Sequence, residues 1–179
     1  SAASDVYKRQ GKLKRTREAL EELLVETKEE IDHLESISTA LDIALDEADL
    51  VQLKEELIEY GYIRRKGPTG KKQKITSHPF HYRSSEGFDI YVGKNNFQNE
   101  ELSFKFASGN DWWFHAKKMA GSHVIVRTKD GELPDRTFEE AHRRIEVDGP
   151  LRRQVGRRGD GQFVRGVVRI IAVSYTHLT

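Results

Sequence analysis

Apolar residues recur at alternating spacings of four and three along the first quarter of the chain, which predicts one long helix over residues 12–45. This segment has no proline and is rich in Glu, Lys, Leu and Ala, which favour helix. The recurring positions form a heptad seam of the coiled-coil type: Leu20, Leu24, Thr27, Ile31, Leu34, Ser38, Leu41, Leu45 and Ala48. About 34 residues rising ~1.5 Å each make a rod of roughly 50 Å. Such a seam predicts a partner helix, in missing sequence or in another chain. The alternative is a helix packed on its own domain.

A short helix and a basic linker follow. Asp46 can cap this helix and Gly61 suits its end. Its predicted apolar stripe consists of Leu50, Leu53, Leu57 and Ile58. The linker, residues 64–75, contains no acid and six cations: Arg64, Arg65, Lys66, Lys71, Lys72 and Lys74. Cations on a tether suit a polyanion, because each phosphate contact releases a counterion. The alternative is a solvated spacer.

Residues 76–141 predict a small α+β domain with antiparallel strands. Strands are expected at 76–83, 88–92, 112–116 and 122–127, with a hairpin turn at 84–87. Asn95 or Asn96 can cap a helix over 97–107, and Thr137 with Glu140 forms a capping box that starts another. The predicted core consists of Phe88, Ile90, Val92, Phe114, Val124 and Val126. The fold class is therefore α+β: a long N-terminal coiled-coil helix and a short helix, followed by a small antiparallel-sheet domain with flanking helices.

The two ends of the chain do not fit this pattern. Residues 1–11 show no helical or strand periodicity, and we expect them to be a non-native end. Residues 142–179 are irregular and rich in arginine and glycine. They are typical either of a basic RNA-binding arm or of a frame-shifted reading of the gene, and we favour the second. The expected layout is a coiled-coil arm and short helix at 12–63, the linker at 64–75 and the α+β domain at 76–141.

The amino-acid composition says more about the cellular compartment of the protein than about its binding partner. The 179 residues are 36% hydrophobic and 33% charged, with a net charge of +1 and no cysteine. The absence of cysteine excludes disulfide scaffolds and cysteine-bound zinc. No window approaches the ~18 apolar residues of a membrane span, and no signal peptide is visible. We expect a soluble, cytoplasmic protein.

The residue pattern predicts no catalytic site, metal or cofactor. His78, His81, His115 and His123 lie in or beside predicted strands, but no carboxylate accompanies them at the spacing of a zinc site. Ser122 lies near two of these histidines without a nucleophile elbow. No phosphate-binding glycine loop of standard spacing is present.

Recognition of RNA fits these polar residues better. Asparagine amides suit phosphate, ribose and base edges, histidines can donate to phosphate, and an outward tryptophan can stack a base. The candidate RNA-binding residues are Lys71, Lys72, Lys74, Lys94, Asn95, Asn96, Asn99, Lys105, Trp113, His115, Lys117, Ser122, His123 and Arg127. For the asparagines, the alternative is helix capping and turn formation.

Three motifs carry a resemblance to a known family: Gly-Phe-Asp-Ile-Tyr-Val-Gly-Lys-Asn-Asn-Phe-Gln-Asn at 87–99, Asp-Trp-Trp-Phe-His at 111–115 and Gly-Ser-His-Val at 121–124. Together they resemble the NFACT-R domain of the RqcH/NEMF family, whose bacterial members are often labelled fibronectin-binding protein A-like. The resemblance covers residues 31–141.

The resemblance implies a role in ribosome-associated quality control. Members of the family bind the large ribosomal subunit and tRNA on stalled complexes and extend C-terminal alanine tails in bacteria. The long helix would then be one arm of a coiled-coil hairpin whose second arm is missing, and tRNA and rRNA would be the partners. We expect a non-catalytic RNA-binding module. The alternative is a fibronectin-binding, adhesin-like or generic coiled-coil interaction protein.

Overall fold

The computed structural model describes residues 2–65, 72–116, 120–148 and 168–172 of the chain. The chain divides into two compact units, Ser1–Glu35 and Ser36–Thr179, and each is described by itself. The predicted α+β class and its order of elements are confirmed: long helix, short helix, then a sheet with flanking helices.

The long helix, α1, runs from Ala2 to Ile43. It begins ten residues before the predicted start, so the expectation that the first residues lack helical structure is wrong. Gly11 lies inside the helix, where a glycine costs only about 1 kcal/mol relative to alanine. In the first unit the heptad positions Leu20, Leu24 and Ile31 are exposed.

Within the second unit, the last turns of α1 bury a different face. Ile37, Ala40 and Ile43 are buried there, whereas the heptad residue Leu41 is exposed. The heptad seam and the buried face are therefore two separate apolar surfaces of the same helix.

The short helix, α2, spans Glu47–Glu59 and is capped as predicted. The Asp46 side chain accepts a hydrogen bond of 3.0 Å from the N–H of Asp49, and Gly61 follows the helix with a φ of 79°. The predicted apolar stripe is only partly correct, because Leu53 is 2% exposed but Leu50 is 49% exposed. The face that α2 buries is mostly polar.

Within the described residues, the sheet has five strands in the order β1-β2-β4-β3-β5, and each neighbouring pair is antiparallel. The strands are β1 Phe80–Arg83, β2 Asp89–Val92, β3 Trp112–Ala116, β4 Val124–Val126 and β5 Val168–Ala172. The first four were predicted. The glycine at the hairpin turn, Gly87, has a φ of 87°, which explains why a residue without a Cβ lies there.

The prediction that the chain is irregular after Ala141 is wrong in two places. Helix α4 spans Asp135–Asp148, and β5 pairs with β3 from Val168 to Ala172. The run Val-Arg-Ile-Ile-Ala is rich in β-branched residues, which suit a strand. The surrounding arginines and glycines obscured this signal.

One face of the sheet and α4 form the main core. Ile90, Val92, Phe114, Val124 and Val126 are buried there with Ala141 and Ile145 of α4. Phe88, also predicted, packs partly buried against the same cluster. Each fully buried aliphatic or aromatic side chain contributes roughly 1.5–3 kcal/mol.

The start of α4 is fixed by the β1–β2 turn. The carboxylate of Glu86 accepts hydrogen bonds from the Thr137 N–H at 2.9 Å and from its hydroxyl at 2.6 Å. Glu140 in turn accepts from the N–H of Ser85 at 2.9 Å. Thr137 therefore lies inside the helix and is not its cap, so the predicted capping box is wrong. The hydrogen-bond acceptor for the Thr137 N–H in the first turn of α4 is the Glu86 carboxylate of the β1–β2 hairpin.

On the other face of the sheet lies helix α3, Asn96–Glu101, followed by a π-helical turn at Leu102–Phe106. Asn95 caps α3, as predicted, and accepts from the N–H of Gln98 at 3.0 Å. The same cap brings the side chains of Asn95 and Gln98 towards α2.

A buried polar network joins α2 to the start of α3. We define it as Asp49, Gln52, Ser77, Lys94, Asn95 and Gln98. The ammonium of Lys94 lies 2.7 Å from Asp49 Oδ1. Gln52 Oε1 accepts from Asn95 and from Gln98, each at 2.8 Å. Burying polar groups is tolerable only when they are hydrogen-bonded, and here the two sides satisfy each other.

Lys94 gives a direct test of this network. Lys94→Met leaves Asp49 buried with only neutral donors, so we expect the free energy of unfolding to fall by about 2–4 kcal/mol. Urea unfolding followed by tryptophan fluorescence measures the loss, because Trp112 and Trp113 lie in the sheet.

Lys54→Met is the matched control, because Lys54 is exposed on the same helix and we expect a change within about 0.5 kcal/mol. Adding Asp49→Asn to Lys94→Met should recover part of the loss. Equal stability of the Lys94 and Lys54 variants would contradict the role assigned to the network.

Thr137 tests the contact between the hairpin turn and α4. Thr137 is 0% exposed, and Thr137→Val keeps its shape while removing the hydroxyl that binds Glu86. We expect a loss of about 1–3 kcal/mol in unfolding free energy, against almost none for Thr76→Val, whose side chain is exposed. Equal urea midpoints for the two variants would show that the turn does not hold the helix.

Candidate nucleic-acid interface

The candidate residues fall into three groups in the structure. Lys94, Asn95, Asn96 and Asn99 lie at the start of α3 and point into the fold. Trp113, His115, Ser122 and His123 lie together at the ends of β3 and β4. Lys72, Lys74, Lys105 and Arg127 are exposed. Lys71 and Lys117 lie outside the described residues.

The first group makes contacts inside the protein. The side chain of Lys94 is 10% exposed and paired with Asp49. The Asn96 amide donates to Ser36 at 2.7 Å and to Glu56 at 2.6 Å. Asn99 donates to the carbonyl of Gly121 at 3.0 Å and accepts from the N–H of His123 at 2.9 Å. These amide groups hold α2, α3 and the start of β4 together.

Electrostatics at this position also serve the fold. Burial alone would raise the pKa of Asp49, but the Leu45 N–H, the Lys94 ammonium and the Ser77 hydroxyl together outweigh it. The pKa of Asp49 therefore lies below its usual value. Asp49 stays ionised and keeps Lys94 in place. The glycine of the motif at 93–99 also has a structural reason. A Cβ at position 93 would overlap the Asn99 amide, so only glycine fits there.

In the second group, Trp113, His115 and His123 form an aromatic and histidine cluster together with Ser103 of the π-helical turn. Ser122 lies beside this cluster, with its carbonyl 3.4 Å from His115 Nδ1. The rings of His115 and His123 lie 4.8 Å apart, and Trp113 lies 5.1 Å from His123 between ring centroids. The Ser103 hydroxyl lies 2.7 Å from His123 Nδ1 and accepts from Trp113 Nε1 at 3.1 Å.

Burial, reinforced by the neighbouring His115, lowers the pKa of His123 to about 4. His123 is therefore neutral near pH 7 and can offer a phosphate a hydrogen bond but no charge. Among the described residues, no group of three or more His, Cys, Asp or Glu side chains is arranged to hold a metal ion.

The third group supplies the exposed positive charge. Lys72 and Lys74 precede β1, and Lys105 lies on the π-helical turn. The guanidinium of Arg127 lies 4.6 Å from the centre of the Phe106 ring. These side chains reach solvent, as a contact with a polyanion requires.

One cation of the predicted tether is not free. Arg65 forms a bidentate ion pair with Glu55 of α2, at 2.9 and 2.7 Å. This pairing lowers the pKa of Glu55. The expectation of six unrestrained cations is therefore wrong for Arg65, because the acid it binds comes from the preceding helix.

A second aromatic cluster, in which Tyr91 and Phe106 are half-buried, was not predicted from the sequence. His81 stacks on Tyr91 at 4.5 Å, with ring planes 5° apart. Tyr91 meets Phe106 edge-on at 4.6 Å. The alternation within β2 could have revealed it, since Tyr91 must point away from the core that Ile90 and Val92 enter.

Two family models match the chain. Residues 1–76 match the NFACT N-terminal and middle domains, and residues 78–145 match the NFACT protein RNA binding domain. No helix among the described residues is long and apolar enough to cross a membrane.

Similar proteins agree with these matches. The chain is 43% identical over 127 residues to the Rqc2 homolog RqcH of Streptococcus pneumoniae, covering 69% of this chain and 22% of that protein. It is 33% identical over 141 residues to RqcH of Bacillus subtilis, covering 78% of this chain and 24% of that protein. The chain thus spans about a quarter of the length of these curated relatives.

A solved structure shares the fold. It is described as the C-terminal of the fibronectin/fibrinogen-binding protein from Streptococcus suis, and the TM-score is 0.78 at 34% sequence identity. The match covers 93% of this chain and 62% of that one. On the two domain matches and these relatives, the chain belongs to the NFACT family and carries that family's RNA-binding domain at residues 78–145.

Proposed function

We propose that this chain is the RNA-binding module and coiled-coil arm of a ribosome-associated quality control factor. The observation that carries the proposal is the RNA-binding domain match at residues 78–145 in a chain whose curated relatives are RqcH proteins. The module binds tRNA and the rRNA of the large ribosomal subunit on stalled complexes in the cytoplasm. In the full-length protein this binding serves C-terminal alanine tailing, and this part of the chain has no catalytic role.

The exposed heptad seam of α1 supports a coiled-coil partner. Leu20, Leu24 and Ile31 are exposed in the first unit at the spacing that a second helix buries. The partner in this proposal is the second arm of the coiled-coil hairpin.

The exposed cations make the RNA contacts in this proposal. Lys71, Lys72 and Lys74 lie in the basic segment before β1, while Lys105 and Arg127 lie on the domain. Lys117 follows β3 and belongs to the same charge set. Phosphate contacts of this kind give affinity without sequence preference.

The remaining candidates position that surface. Lys94, Asn95, Asn96 and Asn99 hold α2 and α3 together, while Ser122 and His123 hold the start of β4 beside Trp113 and His115. A neutral His123 and a half-buried Trp113 can still touch RNA at the edge of the cluster, by a hydrogen bond and by stacking.

A salt series with tRNA tests this assignment. Affinity should fall linearly on a double-logarithmic plot as salt rises, because bound cations release counterions. Replacing Lys71, Lys72 and Lys74 by alanine should lower the affinity and make the slope shallower by about 1 for each phosphate that a lysine no longer neutralises. Filter binding or fluorescence anisotropy gives both values.

Replacing Lys8, Lys12 and Lys14 by alanine removes the same charge from α1 and is the matched control. Its slope should equal that of the unmodified chain. Salt-independent binding, or an equal loss in both triple variants, would count against the proposed contacts.

The second candidate function is adhesion to host matrix proteins. The name of the solved Streptococcus suis structure favours it. Immobilised fibronectin should capture the chain saturably under this alternative, and free tRNA should not compete. Under the RNA-binding proposal we expect weak capture that tRNA abolishes, because a polyanion occupies the same cations.

A further inference from the structure

The heptad seam of α1 continues towards the start of the chain within the first unit. Counting back from Leu20 at the same alternating spacings gives Arg17, Leu13, Gln10 and Val6. The apolar side chains of this longer seam are exposed: Val6 at 53%, Leu13 at 61%, Leu20 at 53%, Leu24 at 68% and Ile31 at 49%. The segment from Val6 to Ile31 therefore presents a seam about 39 Å long to a partner helix.

Charge is divided between the two halves of this segment. Residues 8–17 contain six cations and no acid: Lys8, Arg9, Lys12, Lys14, Arg15 and Arg17. Residues 18–35 contain eight acids and a single lysine, Lys28. Two such helices side by side in the same direction would repel along both halves. Two that run in opposite directions place the basic half of each against the acidic half of the other. The charge order therefore suits an antiparallel pair of identical helices.

One antiparallel register matches the apolar positions of the seam. Its centre lies between residues 18 and 19, next to the boundary between the basic and acidic halves. In this register Leu13 of one copy packs on Leu24 of the other, and Val6 packs on Ile31. Each of these layers occurs twice in the pair. The exposed apolar side chains of one helix are therefore covered by those of its copy.

The polar positions of the seam also meet in this register. Gln10 lies against Thr27, whose hydroxyl already donates to the Leu23 carbonyl at 2.7 Å and can accept from the Gln10 amide. Arg17 lies beside Leu20. Its Nε is turned to Glu21 Oε1 of the same helix, 2.7 Å away, so its stem can cover the leucine while its charge stays in solvent.

The charged residues that flank the seam select this register over its neighbours. Lys14 comes opposite Glu21, and Arg9 comes opposite Glu30, so each flanking pair joins opposite charges. A shift by one heptad would place Lys14 beside Lys28 or beside its own copy. A parallel pair in register would place Arg9 beside Lys14. Each alternative brings like charges together, which is unfavourable at these positions.

We propose that α1 binds a second copy of this chain as an antiparallel coiled coil along the seam from Val6 to Ile31. The Leu13 and Leu24 layers supply the apolar contact, and Lys14 with Glu21 sets the direction and the register. The second arm of the hairpin proposed above would cover the same seam, so the two partners exclude each other. The proposal does not rest on RNA binding.

Sedimentation equilibrium of the full chain over a concentration series tests the association. The protein is first treated with ribonuclease, so that RNA cannot bridge two chains. We expect the mass to rise from 20.6 kDa towards twice that value. Leu24→Asn should raise the dissociation constant roughly a hundredfold or more, because each dimer loses two buried leucines. Val25→Asn is the matched control, since Val25 is 59% exposed and lies one residue off the seam. It should associate like the unmodified chain.

Lys14→Glu tests the register. It should raise the dissociation constant roughly tenfold, because two attractive pairs in each dimer become repulsive. Adding Glu21→Lys should restore association, since the reversed pair again joins opposite charges. Arg15→Glu makes the same charge change on the outer face of the helix and should have a much smaller effect. Far-ultraviolet circular dichroism checks that each variant keeps its helix.

Disulfide crosslinking tests the direction, because the chain contains no cysteine of its own. Chains with Leu13→Cys are mixed with chains carrying Leu24→Cys and then oxidised. The mixture should give a disulfide-linked dimer, whereas either variant alone should stay uncrosslinked. A parallel pair in register would give the opposite pattern.

Three results would overturn the proposal: a mass that stays at 20.6 kDa at every concentration, equal association of the Leu24→Asn and Val25→Asn variants, or crosslinks in the single-variant samples and not in the mixture. If the chain stays monomeric and the triple lysine variant loses tRNA binding, the dimer proposal fails and the proposed function stands. If the chain dimerises as expected but does not bind tRNA, the dimer stands and the proposed function fails.

Discussion

The ion pair between Lys94 and Asp49 is the constraint on which the described part of the second unit depends. A buried ammonium and a buried carboxylate are each unfavourable alone, and breaking such a pair costs several kcal/mol. Around this pair, Gln52, Asn95 and Gln98 satisfy each other's amides. These hydrogen bonds form only when α2 and the start of α3 hold one fixed relative position. Apolar contacts would tolerate a small shift between them, whereas directed hydrogen bonds do not. The exposed cations Lys105 and Arg127 therefore lie on a domain whose attachment to α2 is fixed.

This changes how the motif at residues 93–99 is understood. Its glycine, lysine, asparagines and glutamine suggest a phosphate-binding or base-reading loop. In the structure each has an internal reason: Gly93 makes room for Asn99, Lys94 neutralises Asp49, Asn95 caps α3 and Gln98 reaches Gln52. A long and specific motif can serve recognition of a ligand, but it can equally supply the hydrogen-bonding side chains of a buried polar network. Burial decides between them, and only the three-dimensional arrangement reveals burial.

Local patterns were sufficient to predict much of the fold. Period-two alternation gave four strands and the core residues Ile90, Val92, Phe114, Val124 and Val126, and the caps at Asp46 and Asn95 follow from short-range hydrogen bonding. Several of the failures depend on partners that lie elsewhere in the chain. Thr137 and Glu140 look like a capping box until Glu86 and Ser85 of the hairpin turn meet them from 51 and 55 residues away. The ion pair of Arg65 with Glu55 becomes visible only in the structure. The buried face of α2 is polar, so no apolar periodicity in the sequence marks it. The contacts of half-buried Tyr91 with His81 and Phe106 were also missed, because alternation shows which way a side chain points and not what gathers around it.

The central claim is that the motif residues at 93–99 build the domain while the exposed cations meet RNA. Ultraviolet crosslinking of the chain to tRNA, followed by identification of the crosslinked peptides, tests it most directly. We expect crosslinks in the segment containing Lys72 and Lys74, at Lys105 and at Arg127, with none at residues 94–99. Dominant crosslinks at Lys94, Asn95 or Asn99, with the exposed cations unmodified, would contradict it.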